Sequence, residues 1–153
     1  MSRFLLVALS FVLVGALGGC KKEAADTKLD LLVDKNWQVS ALTVTFSGTK
    51  QSTQDAYALL PACQKDNYTR FSVNKTLEVN EGKSICQGSQ QQAAGTWDIN
   101  SDQTILYLSA TNYGAPVAIP VDILELSASK LVLQSTVVQP EATTITVTTF
   151  SAQ

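Results

Sequence analysis

The sequence predicts an all-β fold, an eight-stranded antiparallel up-and-down barrel with a short helix leading into its first strand. Three observations predict it. Runs of alternating apolar residues follow one another from Trp37 to Ser151, the period of strands with a buried face. Most runs are separated by brief turns rich in Asn, Gly, Ser or Pro, so successive strands join as hairpins. Eight such strands close into a barrel and leave no open edge.

An address segment precedes the domain. Met1-Ser2-Arg3 is a short positive start, and residues 4–17 are apolar apart from Ser10 and Gly15. That run is shorter than the roughly 20 residues a membrane-spanning helix needs, so residues 1–19 are expected to be a signal peptide. Leu17-Gly18-Gly19-Cys20 looks like a lipobox, which implies that Cys20 becomes the lipidated first residue. Residues 20–27 then read as a polar tether, and 28–153 as the barrel. Lys21 after the cysteine, rather than Asp, points by analogy to the outer membrane. Two or more acyl chains anchor a protein stably.

The expected elements run as follows. Leu29, Leu31, Leu32 and Val33 suit a lead-in helix over one barrel end. The first strand, 37–46, carries Trp37, Val39 and Ala41 on one face and Leu42, Val44 and Phe46 on the other. Residues 47–66 form a long connection, polar through Asp55 and then able to make one helical turn before Pro61. Leu59, Leu60 and Cys63 suit a lid over the barrel mouth. Strands 67–73 and 76–80 make a hairpin around Asn74-Lys75, with Asn tolerating a left-handed backbone. A polar loop with Cys86 leads to strand 94–99, and residues 100–103 turn into strand 104–110. After a turn at 112–116 comes strand 117–127, where Pro120 signals an edge or bulge. Strands 130–138 and 143–151 complete the eight.

Cysteine and histidine counts narrow the chemistry. Setting Cys20 aside leaves Cys63 and Cys86, an even pair that reads as a disulfide outside the cytoplasm. The chain has no histidine, which removes Ser-His-Asp catalysis and His-bearing zinc sites. It carries no glycine-rich phosphate motif, so no cofactor, no metal and no enzymatic activity are expected. Asp122 and Glu125 stand three apart, on opposite faces of a regular strand, and read as solvated charges, or one inward polar group, rather than a general acid and base. The mature chain has ten basic and thirteen acidic side chains, which argues against a nucleic-acid partner.

Trp37, the Cys63-x-x-Asp66 segment, the Phe71/Leu77 hairpin, Cys86, Gly95-Thr96-Trp97 and Ile105-Leu106-Tyr107-Leu108 together resemble the lipocalin-like domain of small bacterial, Bacteroidetes-type, lipoproteins. The resemblance spans residues 32–150 and implies a barrel whose cavity takes a small apolar ligand, with Cys63 and Cys86 bridged. Lys35-Asn36-Trp37 departs from the usual Gly-x-Trp, and Arg70 is the sole arginine after Arg3. The expected lining residues are Trp37, Phe71, Trp97, Tyr107 and Ile119, although aromatics also suit a barrel filled by its own side chains. The alternative is a protein-binding envelope lipoprotein, an inhibitor or stress-related factor. It would make contact through the loops at 48–55 and 82–92. In either case a monomer is expected.

Overall fold

In a computed structural model that describes residues 27–110 and 118–153, the chain opens with helix α1 (Lys28–Leu32). A capping box starts it: the Asp30 N–H donates to the Thr27 hydroxyl, and the Thr27 N–H donates back to the Asp30 carboxylate. The address segment with Cys20, and the turn at 112–116 with Val117, lie outside the described residues.

Nine strands follow among the described residues: β1 (Asn36–Ser47), β2 (Ser52–Asp55), β3 (Tyr68–Phe71), β4 (Thr76–Asn80), β5 (Gln92–Ile99), β6 (Ile105–Ala110), β7 (Ile119–Leu126), β8 (Lys130–Gln139) and β9 (Ala142–Ala152). Every pairing is antiparallel, and β9 returns to β1, closing an eight-stranded barrel of β1 and β3–β9. The ninth strand, β2, was expected to be part of a polar loop. It pairs instead with the outer half of β1, from Thr43↔Asp55 to Phe46↔Ser52, and all four of its residues are exposed.

Two bulges correct the facing expected from simple alternation. The register of β1 against β9 shifts between Val39 and Ala41, so Leu42, Val44 and Phe46 face the same interior as Trp37 and Val39. The apolar residues of both halves of the strand therefore point inward. In β7 the register against β8 shifts between Ile123 and Glu125. Asp122 then pairs with Gln134 and Glu125 with Val132, which share a face, so both carboxylates point outward. Glu125 bonds Lys130 there at 2.7 Å.

The β3–β4 hairpin differs in detail too. Residues 72–75 connect the strands, with the Lys75 N–H donating to the Ser72 carbonyl, and Lys75 rather than Asn74 holds the left-handed backbone at φ 69°. Asn74 instead accepts hydrogen bonds from the Thr76 N–H and hydroxyl. Pro120 stands where β7 has a neighbour on one side only: Tyr107 of β6 pairs with it, whereas the β8 ladder begins at Asp122.

The seams are uneven. β1–β9 and β8–β9 are each joined by ten residue pairs, but β1–β3 by three and β7–β8 by four. β3–β4 and β6–β7 also have four pairs each, but it is the β1–β3 and β7–β8 seams that join β8–β9–β1 to β3–β7, and both lie near the end that α1 covers. Beyond them, among the described residues, no further pairing joins β8–β9–β1 to β3–β7, so the barrel is tight at one end and splayed at the other.

Candidate functional site

The tight half is filled. Trp37, Phe71, Trp97, Leu106 and Leu131 are each 2% exposed or less, and Leu32 of α1 packs among them as a stopper. Apolar side chains buried this fully contribute roughly 1.5–3 kcal/mol each. Polar edges are satisfied within the packing. The Trp37 indole donates to the Leu32 carbonyl at 2.8 Å, and the Trp97 indole to the Ser72 carbonyl at 3.1 Å. Phe71 meets Trp97 edge to face at 5.5 Å. The cation over the Trp37 ring is Lys35, 5.7 Å away, while Arg70 lies 3.8 Å from Asp34. Trp37, Phe71 and Trp97 thus form the plug, and none of them is among the residues lining the two lobes of the splayed half.

Tyr107 takes neither role. Leu106 and Leu108 face inward opposite Val121 and Ile119, so Tyr107 points outward and is 38% exposed. Ile119 does face the interior, at the splayed end, and is 57% exposed. Of the five lining residues expected from sequence, Ile119 is the one that borders a lobe of the splayed half, among the described residues.

Among the described residues, the splayed half holds two cavity lobes. One lobe, of about 170 Å³, is lined by Leu77, Val79, Ala93, Gly95, Leu108 and Ile119 with Ala94 and Ser109 at its border. A second lobe, of about 280 Å³, lies at the short β1–β3 seam. Val39, Leu42, Leu60, Val79, Asn67, Thr69 and Thr148 are among the residues lining it. Val79 borders both. Gly95 opposite Leu77 leaves room where a larger side chain would project into the first lobe. Reading face by face would have found Leu77 and Val79, which alternate across from the buried Phe71.

A flap covers the seam. Residues 56–61 make successive turns, with the Leu59 N–H donating to the Ala56 carbonyl and that of Leu60 to the Tyr57 carbonyl. The N–H groups of Ala56 and Tyr57 both donate to the Leu42 carbonyl, and the Gln38 amide donates to the Lys65 carbonyl. The flap ends in a 3₁₀ turn (Ala62–Gln64) whose Cys63 is bonded to Cys86. Leu60 reaches the second lobe, whereas Leu59 is 66% exposed, so one of the two expected lid leucines turns inward.

Behind the disulfide, Asp66 organises the 81–91 loop. Its carboxylate accepts from the N–H groups of Lys83 and Ser84 at 2.9 and 3.0 Å. Gly82, at φ 68°, lies so close that a Cβ there would meet the Asp66 carbonyl oxygen at 2.4 Å. Burial is the largest single influence and acts to raise the Asp66 carboxyl, but the hydrogen bonds from the Lys83 and Ser84 N–H groups, with those from its own backbone and the Ser84 side chain, together hold it below the usual carboxylate range. A carboxyl lowered by folding stabilises the fold above its unfolded value of about 3.9, and that contribution disappears as acid protonates the folded form. Asp66→Asn is therefore expected to lower stability at neutral pH and to flatten the acid limb of a urea-midpoint-versus-pH curve. A variant curve parallel to wild type below about pH 4 would show that Asp66 has no such role.

The fold and the site together define a class: a closed eight-stranded antiparallel β-barrel, filled at one end and hollow at the other, which fits a lipocalin-like fold. Comparison with protein-family models, curated proteins and solved structures gives no match.

Proposed function

We propose that this chain is a lipid-anchored lipoprotein of the bacterial outer membrane whose barrel binds a small apolar ligand in its splayed half. The observation that carries the reading is the hollow half, where Val79 joins an apolar lobe to a second lobe beneath the flap. Hydrophobic side chains left uncovered inside a barrel gain about 25 cal/mol for each Å² that a ligand shields from water. Phe46, Val79, Ile119 and Val137 are such side chains, inward-facing yet 41–57% exposed. The tether after Cys20 and the lipobox-like motif support the address. Nothing in this reading involves covalent chemistry. The barrel holds its ligand and returns it unchanged.

Native mass spectrometry of the protein extracted gently from its own host's envelope tests the proposal. One bound small molecule per chain is expected. Val79→Trp, which fills the junction of the lobes, is expected to reduce occupancy at least about 10-fold while the thermal transition stays cooperative. A clean apo mass, with no change in fluorescence when apolar dyes are titrated in, would overturn it. The protein-binding alternative would then lead, with the 82–91 loop as its first surface.

A further inference from the structure

The interior that would receive a ligand is polarised without being charged. Every charged side chain on the barrel strands faces outward: Arg70, Glu78, Asp98, Asp122, Glu125 and Lys130 all pair on the face opposite the core. The residues lining the two lobes include no Asp, Glu, Lys or Arg. The β6–β7 connection, 111–117, contains no charged residue in its sequence either.

Strand β9 breaks the ordinary pattern of apolar inside and polar outside. Phe150 packs on the core, and the strand runs regularly against β8, so Thr148, Thr146 and Thr144 share its inward face. Ile145 and Val147 consequently point outward. Thr146 stands opposite Ser135 and Val44, and Thr148 opposite Leu133 and Leu42. Thr148 lines the second lobe, and Thr146 and Thr144 continue the same inward face at intervals of two residues, roughly 7 Å apart. Sequences depart from their own patterning chiefly at functional sites.

Asn67 adds an acceptor near the flap. Its amide N–H₂ donates to Glu81 at 3.1 Å, which fixes the amide orientation, and its carbonyl oxygen is buried with no hydrogen-bond partner. Asn67 lines the second lobe.

We infer that the barrel selects an uncharged lipid, an apolar chain or ring system bearing hydroxyl or carbonyl groups, and rejects fatty-acid anions. The inference rests on the ligand-binding reading above and names the class of its ligand. A carboxylate brought into either lobe finds no cation and loses its hydration, a penalty that neutral hydroxyl and ester groups escape. The threonine wall offers such groups donors and acceptors in a row.

The test uses the full chain, lipidated, in phosphatidylcholine nanodiscs. Three diazirine-bearing probes of one chain length are compared at equal bilayer concentration: dodecanol, methyl dodecanoate and dodecanoate. At about pH 8, where the acid is ionised, the alcohol and the ester are expected to crosslink to β4 and β6 peptides. The acid is expected to label them at least about 100-fold less. Thr146→Lys should restore labelling by the acid, and Thr148→Val should reduce labelling by the alcohol roughly 5-fold. Equal labelling by acid and ester would overturn the exclusion of anions. An unchanged yield in Thr148→Val would overturn the role of the hydroxyl wall. If none of the three probes labels the barrel, the ligand-binding reading itself falls, a result distinct from a failure of selectivity.

Discussion

Replacing Trp37 with alanine is expected to lower the free energy of unfolding by about 3–5 kcal/mol, the largest loss from any single side chain here. Trp37 is fully buried and sits where β1 is paired on both sides, with Thr69 of β3 and Ala152 of β9. Truncation would open a cavity at the tight end and would orphan the Leu32 carbonyl, which accepts the indole hydrogen bond. It would also loosen α1, because Leu32 packs in the same cluster. Trp37→Phe keeps much of the volume and removes the donor, so a smaller cost of about 1–2 kcal/mol is expected. Urea unfolding followed by far-UV circular dichroism measures both, with the slope held and the midpoint shifted. If the alanine variant lost less than about 1 kcal/mol, the tight end could not be the structural anchor described here.

The second large effect concerns the disulfide. Cys63 and Cys86 are 23 residues apart, and opening a loop of that length restores chain entropy worth about 3 kcal/mol to the unfolded state. Cys63→Ser with Cys86→Ser is expected to cost that much globally. The local consequence is more informative. The flap retains its backbone bonds to Leu42 and the Gln38–Lys65 bond, but loses its covalent link to the 81–91 loop. Hydrogen exchange should therefore quicken first over residues 56–66, while β8 and β9 stay protected by their ten-pair ladder. Exchange that rose uniformly across all strands would show that the bond acts on the whole barrel and not on the flap.

Much of this architecture was legible because turn chemistry and alternation agree. The eight barrel strands, the lead-in helix and the cysteine pair all follow from such signals. β2 was not legible: Ser52-Thr53-Gln54-Asp55 buries neither face, so it carries no apolar period to read. The bulge beyond Val39 was present in the sequence as two apolar runs out of phase by one residue, but alternation alone cannot say which run turns over. Ile105–Leu108 poses the same problem, with apolar residues on both faces, so alternation alone does not decide whether Tyr107 turns inward. The site was less legible than the fold. Aromatic residues attract attention as lining groups, yet here they form the plug, and the cavity is bounded by small and aliphatic residues such as Ala93, Gly95 and Val79. Where a barrel is hollow depends on how far its seams extend, and that is a property of several strands at once.

The closing ladder has a kinetic consequence. β9 pairs with its immediate neighbour β8 and also with β1, joining residues as distant in sequence as Trp37 and Ala152. Contacts between such distant residues form slowly, because the entropy of closing the intervening loop is lost before the contact contributes anything. Hairpins β3–β4 and β5–β6 can form while the chain is still emerging, but no barrel exists until the final eleven-residue strand arrives. Until then β1 and β8 each present an unpaired edge ten residues long to whatever else is folding nearby. The two longest ladders of the finished molecule are thus the last to be secured, and a chain stalled before β9 exposes the surfaces most able to pair with another copy.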